Sequence, residues 1–386
     1  MTFGTSKRSE IQPFLAMDVL SAANEAERAG RSVIHMEVGQ PAAAVPESVI
    51  AYARSHFHGG KLSYTDALGI KPLRERIAAH YATDYGATVD PRQVVVTTGS
   101  SAGFMLAFLA AFDHGDKIAL QAPGYPAYRN IMKALGLEVV DLVAGPEDRY
   151  TLSAEAIEKA HSEYGLNGVL LASPANPSGT MIQRDALKAL CDTCERLKIR
   201  FISDEIYHRL VYEGEAETAL SFSNEAFVIN SFSKYYCMTG WRIGWMIVPE
   251  DFIRPVERLA QNLFISAPEL SQWAGVAAFD ATEDYDLVLS EYKMNRALLT
   301  ERLTSIGLSS FWPVDGAFYF YVDMGAYTND TLAFSRRMLD EINVAATPGA
   351  DFDPYSGNRF IRFSFAGSNA DMAIAMDRLG EWLPSL

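Results

Sequence analysis

The sequence predicts an α/β fold: a large domain with a mostly parallel seven-stranded sheet between helices, and a small α+β domain. Between residues 70 and 250, seven short β-rich runs alternate with helical stretches, which is typical of a parallel sheet covered by helices. The runs are almost continuously apolar, as burial on both faces requires. After residue 250 the pattern changes to long helices and then to a mixture of strands and helices.

The chain begins with a helix predicted over Phe14 to Gly30, closed by the glycine, and a strand over Val33 to Glu37 before a turn at Gly39. The seven runs start at Gln93, Lys117, Glu138, Gly168, Ile199, Phe227 and Ile243, with helices near 100–113, 125–135, 153–164 and 183–197. Further helices are expected near 251–264, 268–281, 285–305 and 331–342, with strands in A-F-Y-F-Y-V and R-F-I-R-F-S-F and a last helix to Leu386. We expect a large domain over 46–284 and a small domain made of 1–45 and 285–386.

Composition narrows the class of protein. The length of 386 residues favours two domains. The net charge of -15 argues against nucleic-acid or anionic-membrane partners, which require basic patches. No run approaches the ~18 apolar residues of a membrane span, and the first residues lack an apolar signal core. We therefore expect a protein without membrane or nucleic-acid partners.

The cysteines include one C-x-x-C pair, Cys191 and Cys194, besides Cys237. Such a pair can be a redox or metal site. Its segment has helical periodicity, however, no second pair follows, and the nearest histidine, His208, lies across a strand. Two packed helical thiols are favoured and no metal site is expected. The odd number of cysteines indicates a reducing compartment, so we expect a cytoplasmic location.

Polar groups follow five of the predicted strands. T-T-G-S-S-A-G, A-P-G-Y-P, S-P-A-N-P-S-G, D-E-I-Y and S-F-S-K each come directly after an apolar run. Ligands of open α/β sheets bind outside the carboxyl ends of the strands, so these groups should converge on one crevice. Among them, Lys234 can form an imine, Asp204 can pair with a protonated ring nitrogen and Arg242 can hold a phosphate. Pyridoxal 5′-phosphate (PLP) chemistry needs this set.

The same segments carry a family resemblance. V-G-Q-P, Y-T-D-A-L-G-I-K-P-L-R, T-G-S-S-A-G, P-G-Y-P, N-P-S-G, S-D-E-I-Y, S-F-S-K, G-W-R-I-G, D-G-A-F-Y and F-I-R-F-S-F occur in this order. Nearly the whole chain thereby resembles fold-type I PLP-dependent enzymes, specifically class I/II aminotransferases of the aspartate-aminotransferase-like group. The resemblance implies the PLP-dependent transferase fold and PLP as the cofactor.

The resemblance assigns four residues to the aldehyde, the ring nitrogen and the phenolate oxygen of the cofactor. Lys234 would form the Schiff base and then move a proton as general base, which requires a depressed pKa; the alternative is a surface lysine. Asp204 would pair with the pyridinium nitrogen, or else serve as a helix N-cap, and Glu205 is expected to be structural. Tyr207 is similar to the tyrosine that binds the phenolate oxygen. Asn176 resembles the asparagine that shares this oxygen, although N-P-S-G alone reads as a plain turn.

The remaining cofactor contacts concern the phosphate and the ring. The amides of Ser100, Ser101 and Ala102 open a helix and can bind an anion, although N-capping by a serine is the simpler reading of this segment. Side chains expected at the phosphate are Ser231, Ser233 and Arg242. Tyr125 resembles the aromatic residue that stacks on the ring, unless it is a core tyrosine. Tyr64 resembles the tyrosine that reaches the neighbouring subunit's phosphate, which implies a homodimer with shared active sites.

For the substrate, Arg362 resembles the arginine that binds the α-carboxylate, with Gly39 and Asn176 beside it; the alternative is an ion pair with a helix glutamate. Several positions depart from dicarboxylate-specific relatives. They are Ser101 in place of a lysine, Phe14, Leu15 and Ala16 in place of small hydroxyl residues, Gln40 in place of an acidic residue followed by A-A-A, and Phe352–Asp353 in place of F-G. The pocket is therefore expected to favour a neutral, apolar or aromatic amino donor.

These residues leave two functions open, and a third is disfavoured. The first is ping-pong transamination between an amino acid and a 2-oxo acid. The second is a PLP-dependent carbon–sulfur β-lyase acting on cysteine conjugates, because fold and cofactor residues do not separate the two reactions. The third, a PLP-sensing regulator domain, needs a basic DNA-binding module, for which residues 1–30 are too short and too acidic.

Overall fold

The computed structural model describes residues 4–145 and 149–386. Its seven-stranded sheet consists of β2 (Val94–Thr97), β3 (Lys117–Ala122), β4 (Glu138–Val143), β5 (Gly168–Ala172), β6 (Arg200–Asp204), β7 (Phe227–Ser231) and β8 (Gly244–Ile247). The strand order is β2-β8-β7-β6-β5-β3-β4. Only β8 runs antiparallel to its neighbours β2 and β7 among these strands. The predicted mostly parallel sheet is confirmed, and its strand bounds agree with the prediction to within one or two residues.

The second sheet has four strands in the order β1-β10-β11-β9, where β1 is Ile34–Met36, β9 is Tyr319–Asp323, β10 is Val344–Pro348 and β11 is Phe360–Ser364. β1 pairs in parallel with β10, and β11 lies antiparallel between β10 and β9. The N-terminal strand thus joins strands that lie more than 280 residues later in the chain. β10 was not among the predicted strands.

Helices cover the sheets. They are α1 (Leu15–Arg28), α2 (Glu47–Ser55), α3 (Lys71–Tyr85), α4 (Gly99–Ala111), α5 (Pro126–Leu135), α6 (Ala154–Tyr164), α7 (Arg184–Leu197), α8 (Ile253–Leu263), α9 (Glu269–Ala278), α10 (Thr282–Ser305), α11 (Thr331–Ile342) and α12 (Asn369–Trp382). The predicted helices are present, whereas α2 and α3 were not predicted. No helix in the described ranges combines the length and apolarity needed to cross a membrane.

Strand residues alternate between two apolar cores on opposite faces of the large sheet. Val95 and Leu170 pack with α4, α5 and α8 on one face. Val94, Val169 and Leu171 pack on the other face, in a core that continues into the small sheet. Burial on both faces explains why these runs are apolar throughout. It also leaves the strand ends as the place where polar side chains can meet.

Candidate active site

The predicted polar residues converge on a cleft of about 180 Å³ at the carboxyl ends of the central strands. Its lining comes from both sheets and from the start of α1: Phe14, Ala16, Met17, Val38, Gly39, Ser100, Ser101, Phe104, Tyr125, Tyr128, Asn176, Asp204, Ile206, Tyr207, Ser233, Lys234, Thr239, Arg242, Tyr319 and Arg362. Of the predicted site residues, Ala102, Ser231 and Tyr64 lie outside this lining. The remaining ones are brought together.

Lys234 follows β7 and reaches across the cleft. Its Nζ donates a hydrogen bond to the Gly39 carbonyl oxygen at 2.5 Å. Burial lowers the pKa of Lys234 to about 7, and the charges of Arg362 and Arg242 act in the same direction. An amine with this pKa is partly neutral near pH 7, as a nucleophile or general base must be. The alternative of an exposed surface lysine does not describe this side chain.

Asp204 is the last residue of β6 and is 2% exposed. Its Oδ1 accepts the Ile206 amide at 3.0 Å, and its Oδ2 accepts the Tyr128 hydroxyl. Burial raises the pKa of Asp204 to about 6, while the Tyr128 hydrogen bond opposes that shift. The residues after it form turns, so Asp204 does not cap a helix. A cationic ring nitrogen beside this carboxylate would offset the cost of its burial.

The start of α4 has the groups that can bind an anion. Ser100 and Ser101 belong to its first turn, where helix amides lack partners within the helix. Arg242 lies against this turn, because a Cβ at Gly99 would come within 2.4 Å of the Arg242 Nη2. Arg242 Nη1 also donates to the Thr239 carbonyl at 2.9 Å. Glycine is therefore required for the guanidinium to approach the helix start.

The three remaining phosphate contacts predicted for this chain's own site are Ser231, Ser233 and Ala102. Ser231 donates from Oγ to the Ser233 Oγ at 2.9 Å, and Ser233 itself lines the cleft. Ser231 therefore lies behind Ser233 rather than in the lining. Ala102 is buried within the first turn of α4.

Arg362 lies on β11, lines the cleft and is 2% exposed. Nη1 donates to the Asn176 Oδ1 at 2.9 Å, and Nη2 donates to the Glu37 carbonyl and to the Thr347 Oγ1. Nε has no partner among the described residues. These partners are all neutral, so the alternative of an ion pair with a helix glutamate is not seen in the described ranges. A buried guanidinium with an unpaired N–H group is suited to a carboxylate ligand.

Two tyrosines connect the side chains that line the cleft. The Tyr207 hydroxyl lies 2.7 Å from the Tyr319 hydroxyl. The Arg362 guanidinium lies over the Tyr319 ring, 4.4 Å from its centroid. A Cβ at Gly39 would lie 1.9 Å from the Tyr319 hydroxyl, so only glycine fits there. Tyr319 therefore contacts both a predicted cofactor residue and the predicted carboxylate anchor.

The sequence reasoning missed the roles of Tyr128, Tyr319 and Thr239. Tyr128 stands three residues after Tyr125, at the spacing of one helix face, which could have indicated that both point the same way. Tyr319 lies in D-G-A-F-Y, one of the segments that carry the family resemblance, but the segment itself does not indicate which side chains the tyrosine contacts. Thr239 gave no signal in the sequence.

Tyr125 and Tyr64 differ in their surroundings. Tyr125 precedes α5 and lines the cleft, with its ring 5.6 Å from Phe14 in an edge-to-face arrangement. Burial raises the pKa of Tyr125 to about 12. Tyr64 is 80% exposed and does not contribute to the cleft of its own chain.

Two other groups lie outside the cleft. Glu205 accepts hydrogen bonds from the Ala219 amide at 2.9 Å and the Thr218 hydroxyl at 3.1 Å, as expected of a structural residue. The three cysteines are free and buried. No cluster of His, Cys, Asp and Glu that could hold a metal occurs among the described residues.

The donor set fits PLP. The start of α4 with Arg242 can hold its phosphate, Asp204 can hold its ring nitrogen, and Lys234 is the amine available to its aldehyde. When bound, PLP supplies an electron sink for bonds at the substrate Cα.

Known proteins share this architecture. The sequence profile of Aminotransferase class I and II matches residues 31–379. A valine–pyruvate aminotransferase of Mycobacterium tuberculosis is 47% identical, with 100% of both chains covered. The crystal structure of an aminotransferase from Mycobacterium tuberculosis superposes with a TM-score of 0.97 at 47% identity, covering 100% of both chains. The Thermus thermophilus aspartate aminotransferase with maleate gives 0.92 at 29% identity, covering 98% of this chain and 100% of that one. The chain belongs to the class I and II aminotransferases and is a PLP-dependent enzyme that transfers amino groups between amino acids and 2-oxo acids.

Proposed function

We propose that the amino donor is a neutral amino acid with an apolar or aromatic side chain. The observation that carries this proposal is the apolar lining at the start of α1, formed by Phe14, Ala16 and Met17. Ser101, also in the lining, stands where the family resemblance would place a lysine in dicarboxylate-specific relatives. The cations of the lining are Lys234, Arg242 and Arg362, which the reaction itself engages, so a side-chain carboxylate would remain unpaired at a penalty. The name of the Mycobacterium tuberculosis relative, which pairs valine with pyruvate, supports the same donor class.

We propose the following roles for the site residues. Arg362 binds the α-carboxylate with its free N–H group, and Asn176 and Gly39 lie beside it. Lys234 would hold the aldehyde of PLP, and its neutral Nζ would take the proton from the substrate Cα. Asp204 would pair with the ring nitrogen, Tyr207 and Asn176 would hold the phenolate oxygen, and Tyr125 would cover the ring. The phosphate would be held by Ser100, Ser101, Ser233 and Arg242, with the Ala102 amide in the same helix turn and Ser231 behind Ser233.

We further propose a homodimer in which Tyr64 completes the partner's phosphate site. Tyr64 is exposed, as are the apolar side chains of Phe57, Leu62, Leu263 and Ile265, and the Thr65 amide donates to the Ser266 hydroxyl between two of these segments. Exposed apolar surface that forms a contiguous patch marks protein interfaces. Light scattering tests the dimer, and Tyr64→Ala should weaken PLP binding while leaving the dimer intact. An unaffected PLP affinity would contradict the role of Tyr64.

The domain division at 46–284 against 1–45 with 285–386, and a cytoplasmic location, remain part of the proposal. Continuity of β1 with β10 supports the first, and three free thiols support the second. Limited proteolysis and cell fractionation test them.

The decisive experiment titrates the PLP-loaded protein with a panel of amino acids and follows the visible absorbance of the cofactor. We expect valine, leucine or phenylalanine to convert the cofactor at an at least ~10-fold lower concentration than aspartate, since an unpaired buried charge costs more than 1.4 kcal/mol. A preference for aspartate would overturn the donor class. Adding pyruvate should restore the absorbance, whereas ammonia released without an acceptor would indicate elimination. The relatives reported above are aminotransferases, and nothing in the described site favours elimination.

A further inference from the structure

The start of α1 is held by a residue from the far end of the chain. Phe14 precedes the helix and has no side-chain group that could accept a hydrogen bond from it. Asp351 takes that role instead: Oδ1 accepts the Leu15 amide at 3.0 Å, and Oδ2 accepts the Ala16 amide at 3.1 Å. Asp351 ends the turn Gly349–Asp351 that follows β10 and is 7% exposed. Both carboxylate oxygens are thus used on the first two amides of α1.

This arrangement satisfies two groups that would otherwise be costly. The first amides of a helix have no acceptor within the helix, and a carboxylate at this end also interacts favourably with the helix dipole. A buried carboxylate without partners is itself penalised. The position of the start of α1 therefore depends on Asp351.

The segment held by Asp351 forms an apolar wall of the cleft. Phe14, Ala16 and Met17 line the cleft, and the Phe14 ring meets the Tyr125 ring edge to face. The residue after Asp351 contacts the proposed carboxylate anchor: the Arg362 guanidinium lies over the Phe352 ring, 4.7 Å from its centroid. Two adjacent residues thus contact the apolar wall and the carboxylate anchor.

We propose that Asp351 is a positioning residue for substrate selection, which fixes the distance between the apolar wall formed by α1 and the carboxylate anchor Arg362. This inference rests on the donor class proposed above. Asp351 does not touch the substrate. It acts through the start of α1, so its loss affects donors in proportion to their contact with the wall.

The test compares a long apolar donor with a short one. In Asp351→Ala, kcat/KM for valine should fall about tenfold, which corresponds to about 1.4 kcal/mol and lies within the usual cost of a lost helix cap. For alanine, whose methyl group makes little contact with the wall, it should change less than about twofold. Asp351→Asn keeps one acceptor oxygen and should restore part of the discrimination. The Asp351→Asn variant also tests the proposal if the alanine variant does not fold.

The matched control is Asp330→Ala. Asp330 caps α11 in the same way, accepting the Ala333 amide at 3.1 Å, but it is exposed and lies outside the cleft. The Asp330→Ala variant should have a lower melting temperature and an unchanged ratio of kcat/KM for valine to kcat/KM for alanine. If Asp351→Ala lowered kcat/KM equally for both donors, Asp351 would only stabilise the fold as a helix cap, and the proposal would be overturned.

Hydrogen exchange of the protein without substrate gives a readout independent of turnover. The Leu15 and Ala16 amides should exchange about five- to tenfold faster in Asp351→Ala and be unaffected in Asp330→Ala. Unchanged exchange at these amides would overturn the proposal. If the wild type preferred aspartate, the donor class would be wrong, and the exchange rates would still decide whether Asp351 holds α1.

Discussion

The cleft around Lys234 and the face of α7 that carries Cys191 and Cys194 both contain buried side chains that can act as nucleophiles. A cavity of about 370 Å³ adjoins the two thiols, which is larger than the 180 Å³ cleft. Cavity volume alone would therefore identify the wrong region as the active site. The difference lies in what burial does to each group.

Burial disfavours the charged form of any ionisable group. For Lys234 this lowers the pKa to about 7 and increases the neutral amine, which is the reactive form. For Cys194 it raises the pKa to about 12, and for Cys191 it raises the pKa further, which removes the reactive thiolate. Burial therefore increases the reactive form of the amine and decreases the reactive form of the thiols.

The largest expected effect comes from removing the active amine. Lys234→Ala should lower kcat by about 10²- to 10⁴-fold, the usual contribution of a general base, while PLP and substrate remain bound. Stopped-flow absorbance and steady-state assays measure it. Lys188→Ala is the control: Lys188 is exposed on α7 and pairs with Asp192 at 2.6 Å, so turnover should stay within about twofold. Normal turnover of Lys234→Ala would remove the base assignment.

The second largest effect is expected at Arg362, a buried cation without a charged partner among the described residues. Arg362→Ala should raise KM for every amino acid, with about 3 kcal/mol lost if the pair with the α-carboxylate is buried. Arg359→Ala is the matched control, because Arg359 is exposed and pairs with Asp323 close to the start of β11. A KM that Arg362→Ala leaves unchanged would place the carboxylate anchor elsewhere.

Asp204 and Glu205 extend the comparison to two adjacent carboxyl groups. Asp204→Asn should lower turnover about 10- to 100-fold, since a hydrogen bond to a charged group contributes about 1.5–3 kcal/mol. Glu205→Gln should keep turnover within about threefold. Equal losses in the two variants would contradict the assignment of Glu205 to structure.

Glu205 also predicts a dependence of stability on pH. Burial raises the pKa of Glu205 from 4.5 to about 8. Between these values the folded protein holds a proton that the unfolded chain releases, so this group makes stability fall as pH rises, by up to about 1.4 kcal/mol per unit. Its stabilisation is complete below pH 4.5 and is lost through pH 8. Urea unfolding at several pH values should show this slope in the wild type and a smaller slope in Glu205→Gln.

The smallest effect is expected at the thiols. Cys191→Ala combined with Cys194→Ala should leave turnover within about twofold, because neither thiol lines the cleft. In the wild type, Ellman's reagent at pH 8 should label all three cysteines only as fast as the protein opens. Rapid labelling of the native protein would revive the redox interpretation of the C-x-x-C pair.

Local sequence patterns determined the fold and most of the site. Apolar runs of strand length predicted the seven strands, and the polar residues directly after them, such as Asp204 and Lys234, had to meet at one edge of the sheet. α3 carried readable signals too, with Pro72 in its first turn and Gly86 at its C-cap. β10 was harder, because V-A-A-T-P has few β-branched residues and ends in proline.

The tertiary structure alone decided which distant residues support the site. Tyr319 meets Tyr207 across 112 residues, and Asp351 meets Leu15 across 336. Neither spacing leaves a periodic trace in the chain, because propensity and hydrophobic pattern act between near neighbours. The pKa values of Lys234 and Asp204 also depend on burial and on charges brought in by other strands. The residue types in the sequence were enough to identify the reactive groups, but their pKa values depend on the packing around them.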